Sequence, residues 1–318
     1  MGSLSTLAVV VEKPECLDLR QLDLTPPGDQ DVLVEVIYSG ISTGTERLLW
    51  TGTMPPFPGM GYPLVPGYES VGRIIEAGPQ SQRQAGQFVF VPGANCYGEV
   101  RGLFGGAASQ LVVAGQRTLV IDESLAEQGV LLALAATAYN AIRAPEGGFR
   151  IPDLIVGHGV LGRLLARLAV ALGDRPPSVW EIDPARCSGQ LGYEVTNAEQ
   201  DARKDYQAIY EVSGAGSLLD DLIGRLAPGG EIVLAGFYGQ PLQFAFPPAF
   251  MREARIRVAA EWKPADLAAV NRLVDNGKLS LAGLITDCEP ADQAQVAYRA
   301  AFDDPACLKM ILDWRSMQ

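Results

Sequence analysis

The chain has 318 residues, 48% of them hydrophobic, and a net charge of −12. That length suits two domains with separate cores. The acidic balance argues against a nucleic-acid partner, which needs a basic footprint. The apolar runs also break well before the ~18 residues of a membrane span.

The N-terminal stretch to Leu19 carries Glu12, Lys13, Glu15 and Asp18 and has no basic segment leading into an apolar run. It reads as a folded strand rather than a signal peptide, and a cytoplasmic location is the default. Strands are predicted at residues 7–11 and 31–38, the second from its alternation of apolar and polar residues. The Gly- and Pro-rich segment 52–67 cannot be regular helix. Short strands follow at 70–76, 88–91 and 109–113, and together these suggest a small, partly closed β structure. Residues 127–142 are rich in Ala and Leu with few breakers and predict a helix leading to the next domain.

From Pro152 the pattern alternates. Strands are predicted at 153–156, 178–181, 208–213, 231–236 and 255–261, and helices at 161–172, 217–226 and 264–276. Such alternation means a parallel sheet with helices on its faces. The end of the chain holds a short stretch at 284–286, a helix at 291–302 and a strand at 308–314. The expected class is α/β: a β-rich catalytic domain from residues 1–145 and 265–318, and a doubly wound dinucleotide domain from residues 146–264. The site is expected in the cleft.

The main motif is Gly157, His158, Gly159, Val160, Leu161 and Gly162, a G-x-G-x-x-G with a strand leading in and a helix leading out. The first glycine permits the tight turn, the second lets the backbone approach a pyrophosphate, and the third lets helix and strand pack closely. The helix N-terminus offers unpaired N–H groups and a positive dipole to phosphate. Glu181 ends the next strand, 19 residues after Gly162. A carboxylate there accepts hydrogen bonds from ribose hydroxyls and repels a 2′-phosphate, which favours NAD. Arg186 keeps NADP as the alternative. Ser213 and Gly236 follow later strands and are expected on the nicotinamide side. His158 is expected to top the loop.

The five cysteines are widely spaced, odd in number and in no C-x-x-C pair, as in a reducing compartment. His158 is the only histidine. A tetrahedral Cys/His zinc site is hard to assemble from this set, so no metal is expected.

The segments Ser39–Glu46 and Gly67–Gly78 resemble those that carry the catalytic zinc ligands in the medium-chain dehydrogenase/reductase superfamily, whose β-rich domain is GroES-like. The resemblance covers nearly the whole chain. Ser42 stands where zinc members carry cysteine and Tyr68 where they carry histidine, while Glu69 remains. Only Cys96 lies where the four-cysteine lobe would be. The unusual stretches 51–68, 90–97, 101–107 and 244–254 are similar to the bacteriochlorophyllide dehydrogenase family. That resemblance implies oxidation of a 3-(1-hydroxyethyl) group on a bacteriochlorophyllide to acetyl, with NAD as acceptor, in a phototrophic bacterium. It also implies a homodimer.

A carbinol attached to a conjugated macrocycle places a lower demand on the enzyme than an isolated alcohol, so positioning and a proton acceptor can suffice without metal. Tyr68 and Ser42 are the expected groups at the hydroxyl, with Thr43, Thr45 and Glu69 as a secondary relay. Tyr68 acts as a base only if its pKa is lowered. The aromatic loops 50–62, 97–104 and 237–250 suit a flat apolar ring, and Arg47, Arg101 or Arg252 a propionate. Two other readings stay open: a zinc-free quinone or enoyl reductase using NAD(P)H, and a nucleotide-binding protein that has lost its chemistry.

Overall fold

A computed structural model describes residues 4–173 and 175–317. The chain divides into two compact units. One runs through Ala133 and resumes at Leu284; the other is Leu134–Gly283. The helical segments on either side of the sequence-predicted boundaries, 134–145 and 265–283, thus lie with the second unit.

The first unit is built from strands β1 (Ser5–Lys13), β2 (Cys16–Asp23) and β3 (Asp31–Gly40), helix α1 (Thr45–Thr51), and strands β4 (Leu64–Val65), β5 (Ser70–Ala77), β6 (Phe88–Val91), β7 (Arg101–Gly102), β8 (Gln110–Ala114) and β9 (Leu119–Val120). Alternation along β3 buries Val32, Val34 and Val36 in one core with Val9, Val89 and Leu111. Strand β5 runs antiparallel to β3 with Ser39 opposite Ser70. That register sets the chain leaving β3, Ile41 and Ser42, beside the chain entering β5, Tyr68 and Glu69.

The expected helix at 127–142 is two pieces. Residues Glu123–Leu131 form a 3-10 stretch interrupted at Ala126, whose φ is 45°. Helix α2 then spans Leu132–Ile142. Gly129 approaches so closely to Val71 and Ile121 that a Cβ would collide with both, and an uninterrupted helix does not fit that contact. Together, 123–142 are long and apolar enough to cross a membrane by length and composition, but Val130–Ala133, Ala135, Ala136, Ala138, Ala141 and Ile142 are buried in the protein.

The second unit continues with β10 (Leu154–Val156), α3 (Val160–Leu172), β11 (Ser178–Trp180), β12 (Glu194–Thr196), β13 (Tyr206–Glu211), α4 (Leu219–Arg225), β14 (Leu226–Leu234), α5 (Phe246–Met251), β15 (Arg255–Val258) and α6 (Pro264–Asp275). The sheet order is β12-β11-β10-β13-β14-β15 and every pairing is parallel. Leu154, Ile155, Ile209, Ile232 and Val233 have no exposed surface, as expected for strands covered on both faces. The order reverses between β10 and β13, and ligands of such sheets bind at that switch point, past the carboxyl ends of the strands. The connections β11–β12 and β12–β13 carry only 3-10 turns, Pro184–Arg186 and Ala198–Gln200.

The chain returns to the first unit with β16 (Asp287–Pro290), α7 (Ala294–Asp303) and β17 (Met310–Asp313). Strand β16 pairs in parallel with β17 from Asp287 onward. Strand β17 runs antiparallel to β3, with Ile311 opposite Gly40.

The turn between β10 and α3 is the tightest constraint in the second unit. Gly157 has φ 107°, open to glycine and costly for other residues. A Cβ on Gly162 would run into the Gly157 carbonyl oxygen. Gly162→Ala is therefore expected to destabilise the second unit by about 1–3 kcal/mol, read as a lowered midpoint in thermal or urea unfolding. An unchanged midpoint would show that the turn can relax.

Candidate active site

Ser42 and Tyr68 meet. Their hydroxyl oxygens are 2.6 Å apart, and Thr45 Oγ1 lies 3.5 Å from the phenol oxygen. Ser42 is buried and Tyr68 partly so, with the Phe104 ring edge-on to the phenol at 5.4 Å. Thr43 is exposed, so Thr45 is the threonine brought to the pair. Burial first, then the neighbouring Glu69 charge, pushes the Tyr68 phenol well above its usual range. The condition for Tyr68 to act as a base, a lowered pKa, is therefore not met here: a neutral phenol can only pass a proton on while receiving another.

Glu69 is fully buried and forms an ion pair with the buried ammonium of Lys309, which also donates to the Ile41 carbonyl at 3.0 Å. Lys309 sits immediately before β17, Glu69 immediately before β5 and Ile41 immediately after β3, so the sheet register alone brings the three together. Glu69 Oε1 has no hydrogen-bond partner.

A second buried carboxyl, Glu46, lies in the first turn of α1. Its Oε1 accepts from the Ser42 N–H at 3.0 Å, while the Glu46 N–H donates to the Ser42 carbonyl at 3.0 Å. Its Oε2 accepts from the hydroxyl of Tyr298 on α7 at 2.6 Å. Burial raises the Glu46 pKa to about 7; repulsion from Glu69 adds to this, while Tyr298, the Ser42 N–H and Lys309 oppose it. Sequence reading missed Glu46, Tyr298 and Lys309. They lie far from their partners in sequence, and nothing local marks them.

A hydroxyl and a phenol bonded to each other, beside a glutamate taken up by a lysine, are a poor donor set for zinc, which prefers thiolate and imidazole. Among the described residues, no group of three or more His, Cys, Asp or Glu stands where it could hold a metal.

In the second unit, Gly159 caps α3, and Val160, Leu161 and Gly162 form its first turn, whose N–H groups have no partner within the helix. The Glu181 carboxylate accepts from the His158 N–H at 3.0 Å, from Ile182 at 2.8 Å and from Asp183 at 2.9 Å. The His158 side chain does not top the loop: it has no exposed surface. Its Nδ1 lies 2.6 Å from the Arg186 carbonyl and its Nε2 2.8 Å from the Tyr193 hydroxyl. Burial lowers its pKa to about 4.

Ser213 and Gly236 share one support, the buried Glu211 at the end of β13. Glu211 accepts from the Ser213 N–H at 2.8 Å, from the Ser213 hydroxyl and from the Tyr238 hydroxyl, and its carbonyl accepts from the Gly236 N–H at 3.1 Å. Gly157 packs against Ser213 so closely that a Cβ would touch its backbone. The glycine loop and the loops after β13 and β14 therefore form one surface.

The aromatic loops divide. Trp50 and Tyr97 are buried, and Trp50 packs on Tyr298 and Phe302. Phe237, Phe244, Phe246 and Phe250 are exposed. Arg252 donates to the Leu226 carbonyl, which takes it from the propionate candidates, while Arg47 and Arg101 are exposed.

The alcohol dehydrogenase GroES-like domain family matches residues 28–123. A solved NADH complex of the alcohol dehydrogenase rspB from Escherichia coli CFT073 shares the fold, with a TM-score of 0.81 at 21% identity over 98% of this chain and 100% of that one. The fold pairs a GroES-like domain with a parallel dinucleotide-type sheet, as in that dehydrogenase. The 2-desacetyl-2-hydroxyethyl bacteriochlorophyllide A dehydrogenase of Rhodobacter capsulatus is 56% identical over 98% of this chain and 99% of its own length. That of Cereibacter sphaeroides is 54% identical over the same shares. The chain belongs to this bacteriochlorophyllide dehydrogenase family.

Two outcomes follow for the buried charges. Lys309→Met strands Glu69 and should cost about 3–5 kcal/mol in urea unfolding; adding Glu69→Gln should restore most of it. A double variant as unstable as the single would dismiss the ion pair as the cause. Glu46, with a folded pKa above its unfolded one, contributes stability that is present below pH ~4.5 and lost as pH rises through 7. The melting temperature of wild type relative to Glu46→Gln should therefore fall between pH 5 and pH 8; a constant difference would place the Glu46 pKa elsewhere.

Proposed function

We propose that the protein oxidises the 1-hydroxyethyl group of a bacteriochlorophyllide to an acetyl group, with NAD⁺ as acceptor and without zinc. The observation that carries this reading is the bonded hydroxyl pair of Ser42 and Tyr68, which stand where the zinc members of the superfamily that the sequence resembles carry metal ligands. NAD⁺ supplies one thing when bound, an acceptor for the hydride leaving the carbinol carbon. Substrate, NAD⁺ and protein then yield ketone, NADH and one proton.

The residues of the chain do the rest. The substrate O–H donates to Ser42 or Tyr68, the pair shifts its own hydrogens, and the half-buried Thr45 hydroxyl, 3.5 Å from the phenol oxygen, serves as the next acceptor. No member need ionise. Glu46 fixes the Ser42 backbone, and Glu69 holds the Tyr68 segment through Lys309 rather than exchanging protons itself. The N–H groups at the start of α3 suit a pyrophosphate. Glu181 suits the ribose diol and disfavours a 2′-phosphate, which supports NAD over NADP. Ser213 and Gly236 fit the nicotinamide half. Arg47 and Arg101 fit a propionate.

A cytoplasmic homodimer completes the proposal. The five cysteines are all unpaired, which suits a reducing compartment. Strand β15 is a sheet edge with Ile256 and Val258 exposed, flanked by exposed Phe246, Phe250 and Met251. Such an edge suits pairing with a second copy.

The test is to incubate chelator-treated protein with 3-(1-hydroxyethyl)bacteriochlorophyllide a and NAD⁺ and follow the long-wavelength absorption of the pigment. A red shift, undiminished by chelator and much weaker with NADP⁺, is expected. Tyr68→Phe should lower kcat by roughly 10²-fold with little change in the KM for NAD⁺. Full turnover by that variant would sink the proton route, and no shift with wild type would sink the substrate assignment.

A further inference from the structure

The 13 residues between β11 and β12, 181–193, hold no α-helix, only the turn Pro184–Arg186. They form a strap that leaves the sheet at Glu181 and returns through Tyr193. Apolar packing does not hold it: Ile182 is 83% exposed and Leu191 46%. Polar contacts from the glycine loop and α3 do. His158 reaches the Arg186 carbonyl and the Tyr193 hydroxyl. Arg163 donates through Nε to the His158 carbonyl at 3.1 Å and through its guanidinium to the Arg186 carbonyl at 3.0 Å. The His158 N–H holds Glu181 itself.

The proton positions follow from the partners. A carbonyl can only accept, so Nδ1 carries the hydrogen and donates to Arg186. Nε2 then accepts from the Tyr193 hydroxyl. One histidine thus joins three points of the strap, its start by the backbone N–H and its middle and end by the neutral ring.

Resting on the cofactor reading above, we infer that His158 is a positioning residue for the adenosine end of the dinucleotide. Through Arg186 and Tyr193 it fixes the strap that presents the Glu181 carboxylate and keeps the Arg186 side chain from serving as a 2′-phosphate site. It acts through other residues, so it sets cofactor affinity and NAD-over-NADP choice rather than the chemical step.

The experiment compares wild type, His158→Leu, His158→Asn and Tyr193→Phe by NADH fluorescence titration and by steady-state kinetics with pigment, NAD⁺ and NADP⁺. His158→Leu takes away one of the two donors to the Arg186 carbonyl, leaving only Arg163, and the imidazole acceptor of the Tyr193 hydroxyl, and the Kd for NADH and KM for NAD⁺ should rise about tenfold. The NAD-to-NADP preference should shrink, while kcat and the KM for pigment stay within about twofold of wild type. His158→Asn, which keeps a donor where Nδ1 stands, should recover most of the affinity. Tyr193→Phe should reproduce part of the loss, and it decides the matter if His158→Leu does not fold. Unchanged NADH affinity in both, or a kcat loss with unchanged KM for NAD⁺, would overturn the inference. Wild type that binds no NADH at all would overturn the cofactor reading instead, and the inference with it.

Discussion

A lysine ammonium and a glutamate carboxylate face each other inside the first unit, sealed from water, and the geometry of the candidate site depends on them. Burying two ions costs several kcal/mol each, returned only when the charges meet with good geometry. Glu69 and Lys309 meet because β5 and β17 flank β3 in one register. A slip by one residue would turn every side chain to the other face and leave both charges alone. Gly40 belongs to the same constraint, since a Cβ there would enter the Glu69 carboxylate. Ser42 and Tyr68 inherit their places from this arrangement, one residue past Ile41 and one before Glu69.

The site holds two buried carboxyls and one ammonium, so its field is negative or neutral where a zinc site would be strongly positive. An alkoxide gains nothing from such a field. The reaction proposed here must therefore move the hydroxyl proton as the hydride leaves, before negative charge builds on oxygen. A pair of neutral hydroxyls in contact is suited to that, because each can receive one hydrogen while giving up another. A raised Tyr68 pKa, a defect in a base, is no obstacle in a relay. The raised Glu46 pKa works in the same direction, since a protonated Glu46 leaves less negative charge near the developing oxygen.

The second unit was largely legible because its signals are local. A strand, three glycines at fixed spacing and a helix lie within residues 154–172, and Glu181 follows at the next strand end. The same holds for β3, where alternation of apolar and polar residues marks a strand. Glu46, Tyr298 and Lys309 were invisible because their partners are up to 252 residues away and their contacts exist only once the sheet closes. The Ala- and Leu-rich run 127–142 carries a helical pattern throughout, but its first residues, to Leu131, take 3-10 geometry where Gly129 packs closely on Val71 and Ile121. His158 was misplaced because a histidine in a loop reads as exposed, while the absence of a covering helix that would have displaced it is a tertiary fact.

That missing helix explains why the cofactor domain is fastened by polar groups on one side. A crossover helix would cover α3 with apolar side chains; here α3 turns Arg163 and Arg167 inward, and their guanidinium groups reach carbonyls at Arg186, Ser280 and Ala282. Hydrogen bonds are directional, and net they contribute only about 1 kcal/mol each, so they fix geometry more than they add stability. The other end of the same surface is built alike, with Glu211 gathering Ser213, Tyr238 and, through its carbonyl, Gly236. In the proposed complex the dinucleotide thus lies between two buried polar anchors, His158 under the adenosine end and Glu211 under the nicotinamide end. The loops around it are set by hydrogen-bond angles, which define a binding shape before any ligand arrives and spare the cost of ordering it on binding.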